Sequence, residues 1–246
     1  MRVKAVIAYD GSLYQGFQRQ KSTDNTVATA LEKALRELQI DSPVTGSGRT
    51  DRGVHATGQV IHFDLPPFWH DLAKLQTVLN RKLSAIRFKH LSRVPDSFHA
   101  RFSAQKRTYR YLFKTERVSV FERNYCAHYD TFDAEILRKA LSSFQGEHDF
   151  SSFHKTGSQI HTTVREIYHT DYRQRGAYHF LYFTANGFLR SQVRMMVEAA
   201  MQCARKELSL EALEVLIGGR GEGFQKLAPP QGLYLAHIGY PSMPLN

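Results

Sequence analysis

Hydrophobic periodicity that switches between strand and helix, twice in a similar order, constrains the fold of this 246-residue chain more than any other feature. The first half predicts strand 3–9, helix 25–39 capped by Asn25, strand 58–64, helix 69–82 and strand 86–94. The second half predicts strand 106–114, helix 133–145, a hairpin of strands 162–173 and 178–185, helices 188–205 and 209–217, and strand 232–239. This order predicts an α+β protein with two similar lobes, residues 1–104 and 105–246.

The net charge favours a polyanionic partner. Lys and Arg together number 33 against 23 for Asp and Glu, which gives a formal charge of +10. Hydrophobic residues make up 42% of the chain, and this share argues against wholesale disorder. The surplus of positive charge predicts nucleic acid as the partner, the alternative being a basic protein that its charge merely keeps in solution.

The cysteines and the hydropathy pattern predict a cytoplasmic protein. Cys126 and Cys203 are the two cysteines, and they lie far apart and outside any Cys-x-x-Cys motif. This spacing argues against a disulfide scaffold and against a cysteine-based zinc site. Apolar runs stay well short of the roughly 18 residues that a membrane span needs, and the N-terminal MRVKAVIAYDG has the pattern of a strand rather than of a signal peptide. We therefore expect no membrane association.

The segment GSGRTDRGVHATG (46–58) is the most unusual in the chain. It places one carboxylate, Asp51, between Arg49 and Arg52, on a loop whose glycines allow sharp turns. Neighbouring guanidinium groups favour the ionised carboxylate, which suits a nucleophile better than a general acid. The residues alone leave two interpretations open: a salt bridge that fixes a turn, which is slightly favoured, and a carboxylate that reacts.

Six segments together resemble one family. They are YDGSLYQGFQRQ (9–20), GRTDRGVHA (48–56), FHARFSAQKRTYRY (98–111), DFSSF (149–153), NGFLRSQVRMMV (186–197) and GLYLAHIGY (232–240). In this order the chain resembles the TruA family of tRNA pseudouridine synthases over nearly its whole length. The resemblance implies the pseudouridine synthase fold, with two RRM-like α/β lobes, mostly antiparallel sheets and an active-site cleft between the lobes. It also implies a homodimer that isomerises uridine to pseudouridine at positions 38, 39 and 40 of the tRNA anticodon stem-loop, without a cofactor.

The resemblance assigns the catalytic side chains. Asp51 matches the catalytic carboxylate, and whether it adds to C1′ of the ribose or attacks the uracil ring stays open. Arg194 matches the arginine that pairs with this aspartate and orients it. Tyr109 matches the tyrosine that stacks on the target uracil, a role that suits a flat aromatic ring. By helical spacing Arg190 lies on the same flank of the 188–205 helix as Arg194, two solvated arginines being the alternative.

Other side chains are candidates for holding the RNA. Arg49 looks like a guide for the target nucleotide or its flipping, since guanidinium suits both phosphate and base stacking. Contacts to the RNA would offset the cost of flipping the target base, and the candidates are Arg19, Lys21, Lys106, Arg107, Arg110 and Arg190. His55 is a further substrate-binding candidate with a structural role as the alternative. A metal is not expected, because His55 and His62 have no carboxylate or cysteine at ligand spacing.

Arg52 is among the positions that depart from the family pattern, and two other functions are alternatives. Arg52 stands where the family has a small residue, and it adds positive charge beside Asp51. An RNA-binding module without catalysis would show exposed aromatic residues on central strands and would need no ionised carboxylate. A metal-dependent nuclease would need clustered carboxylates, and the sequence shows no such cluster.

Overall fold

The computed structural model describes residues 1–157, 161–221 and 223–241. The strands are β1 (Arg2–Tyr9), β2 (Thr45–Gly46), β3 (His55–Asp64), β4 (Ile86–Arg93), β5 (Lys106–Lys114), β6 (Ala127–His128), β7 (Gly146–Asp149), β8 (Val164–Arg175), β9 (Tyr178–Ala185) and β10 (Leu233–Gly239). The α-helices are α1 (Val27–Arg36), α2 (Leu72–Lys82), α3 (Ala134–Ser143), α4 (Gln192–Ala204) and α5 (Leu210–Ile217). The predicted α+β class with mostly antiparallel pairing is confirmed.

The chain divides into two compact units, one formed by residues 1–105 together with the segment that begins at Tyr234, the other by residues 106–233. The predicted lobes, 1–104 and 105–246, stay a prediction about domains. The compact units differ from them in one respect, since nearly all of β10 belongs to the first unit. Across the described ranges we find no helix that is both long and apolar enough to cross a membrane.

In the first unit β1 occupies a central place. It lies between β3 and β4 and runs antiparallel to both. Its buried residues alternate as predicted, because every second side chain of a strand points to the same face. β10 pairs in parallel with β3, where Tyr234 lies opposite His55. The segment between β2 and β3, which contains Asp51, is therefore anchored at both ends in this sheet.

The first helix begins later than the sequence predicts and has a different cap. Thr26 is the cap residue, and its hydroxyl accepts a hydrogen bond from the amide of Thr29 at 3.2 Å. Asn25, the predicted cap, instead donates its side-chain amide to the carbonyl of Leu13 at 3.0 Å. Both residues are good caps, and the neighbouring turn decides which of them takes the position.

In the second unit β5, β9, β8 and β7 follow one another in an antiparallel order, and β6 pairs in parallel with β5. Helix α3 contacts α4, α5 and β8. The inward face of β5 buries Tyr109, Tyr111 and Phe113, as the alternation of its residues predicts.

Helix α4 begins at Gln192, whereas the sequence predicts a helix from residue 188. Ser191 has a left-handed backbone with φ of 61°, and this conformation prevents the helix from extending to the residues that precede it. The side-chain oxygen of Gln192 accepts a hydrogen bond from the amide of Leu189 at 2.7 Å and so holds the preceding residues in an extended turn. The predicted placement of Arg190 on one flank of this helix with Arg194 is therefore wrong.

Candidate active site

Two buried contacts hold Thr50, the residue before Asp51. The hydroxyl groups of Thr50 and Tyr9 form a buried hydrogen bond of 2.7 Å. The carbonyl of Thr50 accepts a hydrogen bond from the amide of Phe17 at 3.1 Å. Burial raises the pKa of the Tyr9 phenol well above its ordinary value, so this hydroxyl stays protonated. The Asp51 backbone is thus fixed from its N-terminal side by β1 and by the turn that follows β1.

The fully buried side chain of Gln59 holds a second point of the loop. Its amide nitrogen donates to the carbonyl of Gly48 at 2.7 Å, and its oxygen accepts from the amide of Gly48 at 3.4 Å. A side chain that satisfies both polar groups of one loop residue replaces a missing strand partner. This contact continues the pairing of β3 beyond the point where β2 ends.

A tight turn follows Asp51. The amide of Val54 donates to the Asp51 carbonyl at 3.1 Å, and Gly53 has φ of 78°, a value that favours glycine. Gly16 packs closely on the loop, since a β-carbon at Gly16 would lie 3.0 Å from the Thr50 carbonyl oxygen. The loop presents Asp51 half-buried, while Arg49 and Arg52 are exposed.

His55 is buried and supports the loop from its C-terminal side. Its Nδ1 accepts a hydrogen bond from the amide of Gly11 at 3.0 Å and lies 3.4 Å from a carboxylate oxygen of Asp10. Its ring stacks on Tyr234 at 4.8 Å between centroids. Because only 1% of its surface is exposed, this geometry favours the structural alternative for His55, and its substrate-binding role stays a prediction.

His62, the other histidine of β3, also forms a hydrogen bond with a backbone amide. His62 Nδ1 accepts from the amide of Ala100 at 3.1 Å. Burial, with Arg2 and His99 nearby, lowers the pKa of His62 to about 4, so its ring is neutral near pH 7. Within the described ranges no group of three or more His, Cys, Asp or Glu side chains could hold a metal ion.

Tyr109, in the second unit, lies on β5 with 7% of its surface exposed. The ring of Phe188 meets it edge-on, with centroids 5.2 Å apart and planes at 89°. Phe188 belongs to the extended segment before α4, which the bond between Gln192 and Leu189 holds in place. The orientation of Tyr109 therefore depends on the turn that the sequence prediction assigned to the helix.

Arg194 lies in the first turn of α4. Its Nε donates to the carbonyl of Ala228 at 2.8 Å, and the amide of Ala228 donates to the Arg194 carbonyl at 3.1 Å. Arg194 is half-buried, and the bond from its Nε to Ala228 defines the direction of its guanidinium group. Arg190 lies in the turn before the helix, where it donates to the carbonyl of Thr156 at 3.1 Å.

The remaining RNA-contact candidates differ in how they are held. Arg19 pairs with Glu32 at 3.1 Å and is still more than half exposed. Arg107 donates to the carbonyl of Asn186 at 2.7 Å, and Arg110 is half-buried on the same strand. Lys21 and Lys106 are exposed. Their predicted contacts with RNA stay predictions.

The residues that position the candidate site were not predicted from the sequence. Tyr9 and Gln59 hold the Asp51 loop, and Phe188 and Gln192 hold the surroundings of Tyr109. A polar residue at a buried position of the strand pattern was the available signal for Gln59. For Gln192 the helical periodicity was misleading, because it predicted a helix that begins at residue 188.

Comparisons with known proteins identify the family. A family model described as tRNA pseudouridine synthase matches residues 5–103 and 140–241. A tRNA pseudouridine synthase A of Helicobacter hepaticus is 39% identical over 96% of this chain and 98% of its own. The enzyme of the same name from Lactococcus lactis subsp. lactis is 37% identical over 97% of both chains.

A solved structure titled Crystal Structure of a Cbf5-Nop10-Gar1 Complex is more distant, with a TM-score of 0.39 at 10% identity over 95% of this chain, which spans 49% of that one. This weak likeness adds nothing to the assignment. The family model covers both units and the relatives match end to end, so the chain belongs to the tRNA pseudouridine synthase family and is an isomerase that acts on tRNA.

Proposed function

We propose that this tRNA pseudouridine synthase modifies uridines 38, 39 and 40 of the anticodon stem-loop, with Asp51 as the catalytic carboxylate. The observation that carries the proposal is the half-buried Asp51 on a loop that buried contacts fix at Thr50 and Gly48. A carboxylate that must meet one atom of a nucleoside needs such a rigid support.

The reaction breaks the N1–C1′ bond, turns the detached uracil and joins it through C5. It is redox-neutral, and both routes open to Asp51, addition to C1′ and attack on the ring, use its ionised form. The target base is flipped out of its helix before the reaction. Tyr109 stacks on the uracil, and its fixed contact with Phe188 supports this role. Arg194 orients Asp51, and the bond from its Nε to Ala228 defines the direction of its guanidinium.

The proposal also includes the side chains that contact the RNA, the cellular location of the enzyme and its oligomeric state. Arg49 guides the target nucleotide, and the RNA backbone is held by Arg19, Lys21, Lys106, Arg107, Arg110 and Arg190. His55 acts on the substrate only indirectly, through the loop that it supports. The enzyme works as a homodimer in the cytoplasm, where its tRNA substrate is found.

Replacement of Asp51 tests the catalytic assignment. We expect Asp51→Ala to lower pseudouridine formation by at least about 10³-fold, since removal of a reacting group has effects of this size. The measurement is tritium release from tRNA that carries 5-tritiated uridine. Asp130→Asn, which changes an exposed carboxylate of the second unit, is the matched control and should keep full activity. Tritium release by Asp51→Ala at the rate of the control would overturn the assignment.

The target positions are tested with tRNAs that each keep uridine at only one of the positions 38, 39 and 40. We expect the wild-type enzyme to convert all three substrates. Conversion of uridine elsewhere in the tRNA, with none at these positions, would overturn the site assignment and leave the family assignment intact.

A further inference from the structure

Arg194 is supported by the backbone of a short segment, residues 228–232, which precedes β10 and lies within the second unit. The Arg194 Nε donates to the Ala228 carbonyl at 2.8 Å, and the Ala228 amide donates to the Arg194 carbonyl at 3.1 Å. Because both polar groups of Ala228 bond to Arg194, a shift of this segment would change the direction of the guanidinium. The position of Arg194 therefore depends on how firmly the segment 228–232 is itself held.

Tyr111 of β5 holds the segment 228–232 at the residue after Ala228. Its hydroxyl donates to the Pro229 carbonyl at 3.0 Å, and its side chain is fully buried. Burial raises the pKa of Tyr111 well above its ordinary value, so the hydroxyl keeps the proton that it donates. One buried phenol thus fixes the backbone next to the residue that binds Arg194.

The ring of Tyr111 is in turn fixed by close packing against the end of the segment. A β-carbon at Gly232 would lie 2.8 Å from Cζ of Tyr111 and 2.7 Å from the carbonyl oxygen of Leu112, an approach that only glycine permits. Pro229 and Pro230 restrict the backbone before Gly232, because the proline ring fixes φ. The segment is therefore stiff, and its contacts with Tyr111 help to define its place.

Other side chains occupy a carboxylate that could compete for Arg194. Glu198 lies four residues after Arg194 in α4, a spacing at which side chains of opposite charge can pair. The Glu198 carboxylate instead accepts hydrogen bonds from the hydroxyl of Tyr129 at 2.9 Å and from Arg205 at 3.2 Å. The contact with the segment 228–232, and not a pair with Glu198, therefore defines the direction of the Arg194 guanidinium.

We propose that Tyr111 is a positioning residue for the reaction: through the segment 228–232 it holds Arg194 in the direction in which Arg194 orients Asp51. The inference rests on the proposed function and adds a residue that acts through Arg194 rather than on the substrate. Tyr109 and Tyr111 share one face of β5 but have separate roles, since the first stacks on the uracil and the second holds the backbone. A small displacement of a group that orients a reacting carboxylate lowers the rate steeply.

Tyr111→Phe tests the proposal, because it keeps the ring and removes the hydroxyl. We expect kcat to fall about tenfold with the KM for tRNA unchanged, measured by tritium release from tRNA that carries 5-tritiated uridine. Tyr172→Phe is the matched control, since its buried hydroxyl bonds to His179 at 2.9 Å within the same unit. The control should keep the wild-type kcat. Equal falls in kcat in the two variants would overturn the proposal, because Tyr111 would then act through stability alone.

The Nε proton of Arg194 gives a readout that does not depend on catalysis. Its NMR signal in the free protein is assigned by its loss in Arg194→Lys. We expect Tyr111→Phe to speed the exchange of this proton with solvent about fivefold or more, because the segment that carries the acceptor carbonyl loses its support. Tyr172→Phe should leave the exchange rate unchanged. Unchanged exchange in Tyr111→Phe would overturn the inference whatever the activity of the variant.

Addition of Tyr111→Phe to Arg194→Lys shows whether the two residues act together. Lysine keeps the positive charge but lacks the Nε donor that binds Ala228. The second substitution should therefore lower kcat by less than about twofold, because the contact that it weakens is already absent. A further tenfold fall in the double variant would overturn action through Arg194.

The remaining outcomes separate this inference from the proposed function. Faster exchange of the Arg194 proton with unchanged kcat would overturn the orienting role of Arg194, and with it the role of Tyr111 in the reaction. Full activity of Asp51→Ala would instead overturn the proposed chemistry, whatever the exchange of the Arg194 proton.

If Tyr111→Phe does not fold, the wild-type protein decides. The hydroxyl proton of Tyr111 and the Nε proton of Arg194 should then exchange with the same dependence on urea, because one segment binds both and opens once. Different urea dependences of the two protons would overturn the proposal.

Discussion

The loop that carries Asp51 and the loop between β5 and β6 are both held by side chains, but by different kinds of contact. Neutral buried groups hold the first, with Tyr9 bonded to Thr50 and Gln59 to Gly48. A partly exposed ion pair holds the second, where Glu122 accepts bonds from Lys114 and Tyr178.

Because the two loops are held by different kinds of contact, we expect them to respond differently to salt and to pH. Hydrogen bonds between neutral buried groups such as Tyr9–Thr50 and Gln59–Gly48 are little affected by salt, so we expect these two contacts to persist over a wide range of ionic strength. An exposed ion pair is screened by salt and is lost when its carboxylate takes up a proton. A reacting group that must keep its position needs the first kind of support.

Loss of the Gln59 contact gives the largest expected effect on stability. Gln59→Ala leaves the polar groups of Gly48 without their side-chain partner and opens a cavity, so the free energy of unfolding should fall by about 2–4 kcal/mol. Urea denaturation measures this change. Gln174→Ala is the control, because the exposed Gln174 makes an equivalent bond of 3.2 Å to the Gly176 carbonyl. It should cost less than about 0.5 kcal/mol. Equal losses in the two variants would show that the buried contact between Gln59 and Gly48 adds no more to the free energy of unfolding than an exposed hydrogen bond.

Loss of the Tyr9 hydroxyl separates positioning of Asp51 from general stability. We expect Tyr9→Phe to lower the free energy of unfolding by about 1 kcal/mol and kcat by about tenfold, with KM unchanged. The expected fall in kcat follows from the freedom that Thr50 and its neighbour Asp51 would gain. Steady-state kinetics and urea denaturation are the two measurements.

The control for this variant lies in the second unit. The buried hydroxyl of Tyr172 bonds to His179 Nδ1 at 2.9 Å, so Tyr172→Phe removes a comparable bond away from Asp51. We expect a similar loss of stability with kcat unchanged. A fall in kcat of the same size in both variants would mean that Tyr9 acts through stability alone.

The two units should lose stability in different ranges of pH, which is the smallest of the expected effects. Since burial lowers the pKa of His62 from 6.5 to about 4, its neutral form stabilises the first unit above pH 6.5, and this contribution is lost as the pH falls from 6.5 towards 4. Hydrogen bonds from Tyr178, Lys114 and Ser119 lower the pKa of Glu122 from 4.5 to about 2. The Glu122 contribution to the second unit is therefore complete above pH 4.5 and is lost between 4.5 and 2.

Urea midpoints of wild type, His62→Gln and Glu122→Gln, measured between pH 7.5 and 3, check these ranges. The difference in urea midpoint between His62→Gln and wild type should begin to narrow below pH 6.5. The difference in urea midpoint between Glu122→Gln and wild type should stay constant down to about pH 4.5. If the two differences narrowed over the same range, the separate assignments to His62 and Glu122 would be wrong.

Much of the fold could be predicted from the sequence because strands and amphipathic helices leave a local signature. The alternation in β5 predicted that Tyr109, Tyr111 and Phe113 share a face, and the structure buries all three. The family was also predictable from contiguous motifs, and the family model matches the part of the chain that contains the segment around Asp51.

The errors occurred where a tertiary contact overrides a local pattern. Residues 188–191 continue the helical periodicity of α4, but the bond between Gln192 and Leu189 and the left-handed Ser191 exclude them from the helix. Asn25 has the composition of a cap, but the carbonyl of Leu13 binds its amide. In both cases the deciding partner could not be inferred from spacing.

By itself the sequence determined the class of fold, the family and the identity of the candidate catalytic carboxylate, because these depend on local periodicity and on contiguous motifs. Only the tertiary structure decided how Asp51 is supported, which turn orients Phe188 against Tyr109, and which segment holds Arg194. The physical reason is that hydrogen bonds and packing join residues distant along the chain, such as Tyr9 and Thr50. A pattern of residue types tells which face of an element is buried, but it does not name the partner on the other side.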